Sequence, residues 1–401
     1  MIPAVYLHIP FCLSKCGYCA FYSVAYRRME IQRYGVLITR ELELFRHRFE
    51  IKPDTVYFGG GTPALLTADQ INEIMSVLNP GSKMIDRALC QDAPTNGQAV
   101  LLPQTEGAGS LRESDPTYME ITLEINPIQI TDKFLKELNR TPVNRLSIGI
   151  QSLNDEKLSC LGRKHRGGTM KQMMKMCREY GYDNVSVDLM YGLPGEDSPA
   201  LAGDIDRLLE LEPEHISAYL LSLEPGTPLV EAHPKLPPDE ELAAQYDLIR
   251  NKLVKAGFYQ YEISNFAQPG CESKHNLHYW EGDDYLGLGA SASGLIRGVR
   301  YTNPMDLALY GQQIEAGSIL PGAEHPDPEQ QRTDYLIMAF RLRRGIRRED
   351  YRRRFGNDIL ADYRQVFDRK ELKGMFEIDD TAVRLSETAL FVSNRVLEEF
   401  V

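Results

Sequence analysis

Hydrophobic and polar positions alternate along six short runs rich in β-branched residues: Val5–Ile9, Thr55–Phe58, Ile121–Ile125, Arg145–Ile150, Asn184–Met190 and His215–Leu221. Amphipathic stretches near residues 27–48, 67–78, 132–140, 169–181, 199–211 and 239–256 follow them, long enough to cross over between parallel strands. The pattern predicts repeated βα units, and Thr67-Ala-Asp-Gln70 reads as a capping box opening one helix. Residues two apart share a strand face. One face is apolar throughout, with Val5, Leu7 and Ile9, then Ile121, Leu123 and Ile125, Leu146, Ile148 and Ile150, and Val185, Val187 and Leu189. The other carries Tyr6, His8, Thr122, Glu124, Ser147, Gly149, Gln151, Ser186 and Asp188. A closed (β/α)8 barrel fills its interior with bulky branched side chains. A polar inner wall predicts instead an α/β fold with a partial, open (β/α)6 TIM-like barrel around a ligand cleft.

Residues 79–117 break the periodicity with Pro, Gly, Ser, Asn and Gln, and read as a surface insertion. The barrel core is expected over 1–297, with Gly294–Asn303 as a strand or hairpin edge, a connecting segment over 298–330 and a helical C-terminal domain over 331–401. Helices, a small hairpin around Asp380-Thr381 and a last helix make that domain winged-helix-like. Its run of Arg341, Arg343, Arg344, Arg347, Arg348, Arg352, Arg353 and Arg354 lies among acidic residues, so a solvated helix face is the first reading and an anion site the second.

Composition narrows the function. With 401 residues the chain exceeds one ordinary core of roughly 100–200 residues, which predicts two domains. A formal charge of −12 argues against a nucleic-acid or anionic-membrane binder. The absence of a long apolar run or a signal-peptide pattern predicts a cytoplasmic protein with no transmembrane segment. Three of the seven cysteines crowd into Cys12-Leu-Ser-Lys-Cys16-Gly-Tyr-Cys19, whereas Cys90, Cys160 and Cys177 stand alone and read as inert thiols.

The cysteine cluster follows the first strand, at the C-terminal mouth of the predicted barrel. Three thiolates cannot close a tetrahedral zinc site without a fourth ligand such as His8, whereas an iron-sulfur cube held by three cysteines keeps one iron open. Tyr57-Phe58-Gly59-Gly60-Gly61-Thr62-Pro63 reaches the same mouth, and its glycines permit close backbone approach to a ligand. Glu124, Gln151 and Asp188 share one rim with inward parity, a placement that asks for a polar ligand.

The C-x3-C-x2-C spacing, with an aromatic residue before the third cysteine, resembles the signature of the radical S-adenosylmethionine (SAM) superfamily. Tyr6-Leu-His-Ile-Pro-Phe-Cys12, Gly59-Gly60-Gly61-Thr62-Pro63, Glu124-Ile-Asn-Pro127, Ser147-Ile-Gly-Ile-Gln151-Ser152, Leu161-Gly-Arg163 and Asp188-Leu-Met-Tyr-Gly-Leu-Pro194 together resemble the oxygen-independent coproporphyrinogen III oxidase family. The resemblance implies a 4Fe-4S cluster on Cys12, Cys16 and Cys19, and SAM contacts from Tyr6, Tyr18, Gly60, Gly61, Thr62, Glu124, Gln151, Arg163 and Asp188. Two branches share these motifs. The oxidase carries a fourth cysteine where Phe21 stands and an N-terminal arm before the first strand; the HemW-type heme chaperones carry phenylalanine there and an H-N-x-x-Y-W motif, matched by His275-Asn276-Leu277-His278-Tyr279-Trp280. The resemblance therefore implies a heme chaperone that passes heme to acceptor proteins, with His275 as heme ligand and His278 and Cys271 as secondary candidates. The alternative is the oxidase or another radical SAM tetrapyrrole-modifying enzyme, and a zinc-stabilised binding module is a third reading. A homodimer is compatible with the sequence, with no motif that calls for one.

Overall fold

A computed structural model describes residues 1–78 and 119–401. The insertion expected at 79–117, with Cys90, lies outside the described residues. All six expected strands form, as β1 (Ile2–Ile9), β2 (Ile51–Gly60), β3 (Glu120–Ile125), β4 (Arg145–Gln151), β5 (Val185–Tyr191) and β6 (His215–Leu220). They pair in sequence order, every neighbour parallel. Helices return the chain between them: α1 (Arg28–Arg46), α2 (Ala68–Leu78), α3 (Asp132–Leu138), α4 (Asp155–Cys160), α5 (Met170–Glu179) and α6 (Ser198–Leu209). The Thr67 capping box is present, with Thr67 Oγ1 accepting from the Gln70 amide at 3.2 Å and Gln70 Oε1 accepting from the Thr67 amide at 3.1 Å.

Strand parity falls as the alternation predicts. Val5, Leu7, Leu123, Ile148, Val187 and Leu189 are buried under the helices, where Ile38, Leu42, Ile74 and Ile205 meet them. Burial of this continuous apolar layer, at roughly 1.5–3 kcal/mol for each large aliphatic side chain, holds the sheet curved around its polar face.

Among the described residues the sheet has eleven strands. Tyr285–Leu288 runs parallel beside β1 and continues into the antiparallel hairpin Ser293–Ile296 and Val299–Thr302, while Asn265–Ala267 runs antiparallel beside β6 and carries Tyr259–Gln260. The two edges do not pair among the described residues, so the barrel is open. The turn of that hairpin, Arg297-Gly298, falls at the boundary expected from sequence, and the helix Leu307–Glu315 beyond it packs on α1. Val299–Thr302 thus joins the barrel sheet and Leu307–Glu315 its helix layer.

After α7 (Asp239–Lys255), α8 (Lys274–Glu281) crosses the barrel at the N-terminal end of its strands. Ser273 caps α8, and the Glu120 carboxylate at the foot of β3 accepts from the Lys274 and His275 amides at 3.3 and 3.2 Å. The C-terminal unit combines helices Pro328–Ala339 and Arg348–Phe355 with a three-stranded antiparallel sheet of Ile346–Arg347, Ala382–Leu385 and Phe376–Ile378, a winged-helix-like arrangement.

The arginine run divides: Arg344, Arg347, Arg352, Arg353 and Arg354 stay exposed as a solvated face, whereas Arg341, Arg343 and Arg348 are half-buried in contacts. The Arg341 guanidinium lies 4.4 Å from the Trp280 ring and 3.1 Å from Glu262, Arg344 pairs with Glu281, and Arg354 donates to the Glu281 and Gly282 carbonyls. Arg348 and Arg352 share Asp358. Of these, the contacts to Trp280, Glu281 and Gly282 join the C-terminal unit to α8 and its C-cap.

Candidate functional site

The C-terminal ends of β1 to β6 surround a cavity of about 540 Å³, within the range of small-molecule sites. Cys12, Cys16 and Cys19 line its mouth together with Tyr18 and Phe21. Phe11 and Cys12 pair with Val24 and Ala25, which closes the cysteine loop on itself. The loop is moored by the Gly17 amide on the Leu161 carbonyl at 3.0 Å and by the Leu229 amide on the Gly17 carbonyl at 2.8 Å. Thr62 Oγ1 donates to Cys12 Sγ at 3.7 Å, and Arg163 donates to Cys16 Sγ at 3.4 Å and also to the Gly149 carbonyl. Burial pushes the Cys19 thiol up, and the charges of Cys16 and Cys12 add to it. A cationic centre relieves that crowding. Among the described residues no three His, Cys, Asp or Glu side chains converge on one metal-ion sphere. A cube on three cysteines keeps one iron open towards the cavity, whereas a single zinc needs a fourth ligand.

Opposite the cysteines the backbone is built for close approach. Gly60 has φ +106°, and a Cβ there meets the His8 ring at 2.6 Å; one on Gly61 meets the Phe11 carbonyl at 2.8 Å. The Gly60 amide donates to Glu124 Oε2 at 3.0 Å, and Tyr57 O–H donates to Oε1 at 2.9 Å. Burial pushes the Glu124 carboxyl up to about 7 against those two donors, with the Asp188 charge adding to the rise. Burial likewise raises Asp188, to about 6, although Ser217, Arg163 and Arg145 oppose it. Gln151 ends β4 at φ +71°, next to a register shift against β5. Left-handed backbone is strained for a non-glycine residue, and such strain clusters at ligand sites.

Of the residues the sequence singles out for SAM, Tyr18, Gly60, Gly61, Thr62, Glu124, Gln151, Arg163 and Asp188 line this one cavity. Tyr6 does not. Its hydroxyl donates to His8 Nδ1 at 2.9 Å, and His8 Nε2 donates to the Tyr22 carbonyl at 3.3 Å, which fixes one neutral tautomer. Sequence reasoning missed Tyr57, Arg145, His215 and Tyr219, all inward-facing, and Asn276, which α8 turns into the cavity. Counting parity along β2 and β6, and carrying it back to the first residue of β4, would have found the first four.

His275 sits at the barrel floor, 1% exposed. Its Nδ1 hydrogen-bonds Thr55 Oγ1 at 3.0 Å, its Nε2 hydrogen-bonds the Tyr279 hydroxyl at 2.8 Å, and its ring stacks on Tyr57 with centroids 5.1 Å apart. Burial, helped by the charges of His278 and Arg145, takes its pKa down to about 3. His278 is the opposite case: burial lowers it, but Asp283 and Asp54, each at 2.8 Å, more than compensate and raise it to about 9. A protonated imidazole offers no lone pair to a metal. In this conformation both nitrogens of both histidines are engaged.

A radical SAM superfamily model matches residues 6–208, and a HemN C-terminal domain model matches residues 327–392. The chain is 31% identical over 406 residues to the heme chaperone HemW of Bacillus subtilis, covering 99% of both chains. It is 33% identical over 298 residues to the heme chaperone HemW of Escherichia coli, covering 73% of this chain and 70% of that one. Among solved structures, coproporphyrinogen III oxidase (HemN) of Escherichia coli, described as a radical SAM enzyme, superposes with a TM-score of 0.77 over 100% of this chain and 90% of that one. At 21% identity that match speaks for the fold alone.

Proposed function

This chain belongs to the radical SAM superfamily and, by full-length similarity, to the HemW heme-chaperone family; from that premise we propose that it binds heme and delivers it to acceptor proteins. The observation that carries the reading is the end-to-end match to a heme chaperone, which spans the barrel, α8 and the C-terminal unit alike.

Cys12, Cys16 and Cys19 hold the 4Fe-4S cluster in this reading, and the cluster with SAM supplies one-electron chemistry or, where SAM is not cleaved, a sensor of cofactor state. The chain's own residues divide the remaining work. Gly60 and Gly61 keep the wall free of side chains so that a ligand packs against backbone, their amides being held by Glu124 and the Ile9 carbonyl; Arg163 places positive charge beside Cys16, and Glu124, Gln151 and Asp188 supply acceptors for hydroxyl and amino groups. Tyr6 acts one layer down, through His8. Phe21, 70% exposed on the rim, offers an aromatic surface to a porphyrin face where the oxidase motif calls for another cysteine. His275 remains the proposed axial ligand, and ligation requires its Nε2 to part from Tyr279. No helix among the described residues is long and apolar enough to cross a membrane. Cysteine ligands must stay reduced to bind the cluster, which favours the cytoplasm as the working compartment.

Two assays on anaerobically reconstituted protein test this. Hemin titration is expected to give stoichiometric binding that His275→Ala weakens. Coproporphyrinogen III with SAM and a low-potential reductant is expected to give no protoporphyrinogen; turnover would make the protein an oxidase.

A further inference from the structure

Tyr57 touches both ends of the barrel. Its half-buried ring lines the cavity, and its hydroxyl donates to Glu124 Oε1 at 2.9 Å. The same ring stacks on His275, with centroids 5.1 Å apart and planes at 26°, and on Tyr6 at 6.1 Å and 29°. Among the described residues no other side chain donates to Glu124, whose second donor is the Gly60 amide on Oε2 at 3.0 Å. His275 is 1% exposed and lines no part of the cavity, so an occupant of the cavity reaches it through Tyr57 or along α8 from Asn276. The placement of Glu124 thus leans on Tyr57, and that of Tyr57 on His275. An acceptor fixed before its ligand arrives spares the ligand the cost of ordering it. Ligation of heme iron asks the opposite of this floor: His275 Nε2 leaves the Tyr279 hydroxyl, and the ring that supports Tyr57 moves.

We propose that Tyr57 is a positioning residue shared by the two sites, which sets Glu124 for SAM while His275 lies beneath it, so that SAM binding and heme ligation oppose each other. The inference rests on the proposed readings of Glu124 as a SAM contact and His275 as the heme ligand, and adds their coupling and its sign. Such coupling is reciprocal: SAM weakens heme by the factor with which heme weakens SAM. The SAM-loaded chain is then the form that gives heme up to an acceptor.

Calorimetric titration of SAM into cluster-reconstituted, heme-free protein tests the positioning. His275→Ala and His275→Phe lose the same hydrogen bonds to Thr55 and Tyr279, and only the second keeps a ring beneath Tyr57. SAM is expected to bind His275→Ala about 2- to 10-fold more weakly than His275→Phe. Tyr57→Phe keeps the stack and loses the bond to Glu124; it should weaken SAM by a similar factor, and adding His275→Ala to it should cost little more. Equal SAM affinities of the two His275 variants, or additive losses in the double variant, overturn the positioning. Hemin titration of the wild type reads the sign and needs no variant to fold: saturating SAM should weaken hemin, and hemin SAM, by one shared factor of about 5 or more, which Tyr57→Phe should shrink. Hemin affinity that SAM leaves unchanged or raises overturns the opposition. A wild type that takes no hemin removes the heme reading instead, and the two His275 variants still decide whether the floor positions Glu124.

Discussion

The mouth and the floor of the barrel are built on opposite principles. At the mouth, Gly60 and Gln151 adopt left-handed backbone, Phe21 stands exposed, and Glu124 and Asp188 are held near neutrality by burial. At the floor, α8 is capped by Ser273 and Glu120, both nitrogens of His275 and of His278 are engaged, and Trp280 is covered by Arg341. Strain and unsatisfied capacity collect at the mouth and saturation at the floor, where His275 becomes a heme ligand only once its Nε2 has left Tyr279. Arg145 departs from the pattern, since it lies near the floor with the unsatisfied donors of a mouth residue.

The contrast can be broken by substitution. The largest effect is expected at the mouth: alanine at Cys12, Cys16 or Cys19 should abolish retention of iron and sulfide, and with it the visible cluster absorption. The fold should survive, because all three lie part-exposed in a moored loop. Next is His275→Ala, which removes two buried hydrogen bonds and a stacked ring and should lower unfolding stability by about 3 kcal/mol in urea. A loss near zero would mean the floor is not the scaffold described.

Third is a pH effect that separates the two regions. Glu124 and Asp188 have folded pKa values raised to about 7 and about 6, so the folded state binds protons that the unfolded state has released. Stability of the apo-protein should fall as pH rises from about 4 through 7 and then level, and Glu124→Gln should remove on the order of 2 kcal/mol of that fall. His278 acts in the same direction in a higher window: its pKa is raised to about 9, so its stabilisation is full below about 6.5 and is lost as pH rises through 9. Asp54→Asn should therefore cost about 1 kcal/mol at neutral pH and less above pH 9, the smallest of the four effects because Asp54 is exposed.

The mouth was legible because its chemistry sits in short contiguous motifs, and the alternation of Val5, Leu7 and Ile9 with Tyr6 and His8 set which way each strand faces. The floor was not, because its contacts join residues far apart in the chain: Glu120 with α8, Thr55 with His275, Asp54 with His278. The spacing of His275-Asn-Leu-His-Tyr-Trp280 gives no sign that its first histidine is engaged through both nitrogens. Arg145 shares a face with Ser147, Gly149 and Gln151, so parity along β4 already turns it inward; what parity does not reveal is that its guanidinium goes unpaired there. The solvated face of the arginine run was legible in Arg344, Arg347, Arg352, Arg353 and Arg354, but the contact of Arg341 was not, since Trp280 and Glu262 lie some 60 to 80 residues before it.

The central claim, that the chain carries heme rather than transforms a porphyrin, is tested most directly by following hemin from the reconstituted protein to a heme-free acceptor such as apomyoglobin by its Soret absorption. Transfer that depends on the cluster and on SAM, with no decarboxylation of coproporphyrinogen III by the same preparation, is the predicted result. Failure to bind hemin, or conversion of coproporphyrinogen III to protoporphyrinogen, would contradict the account.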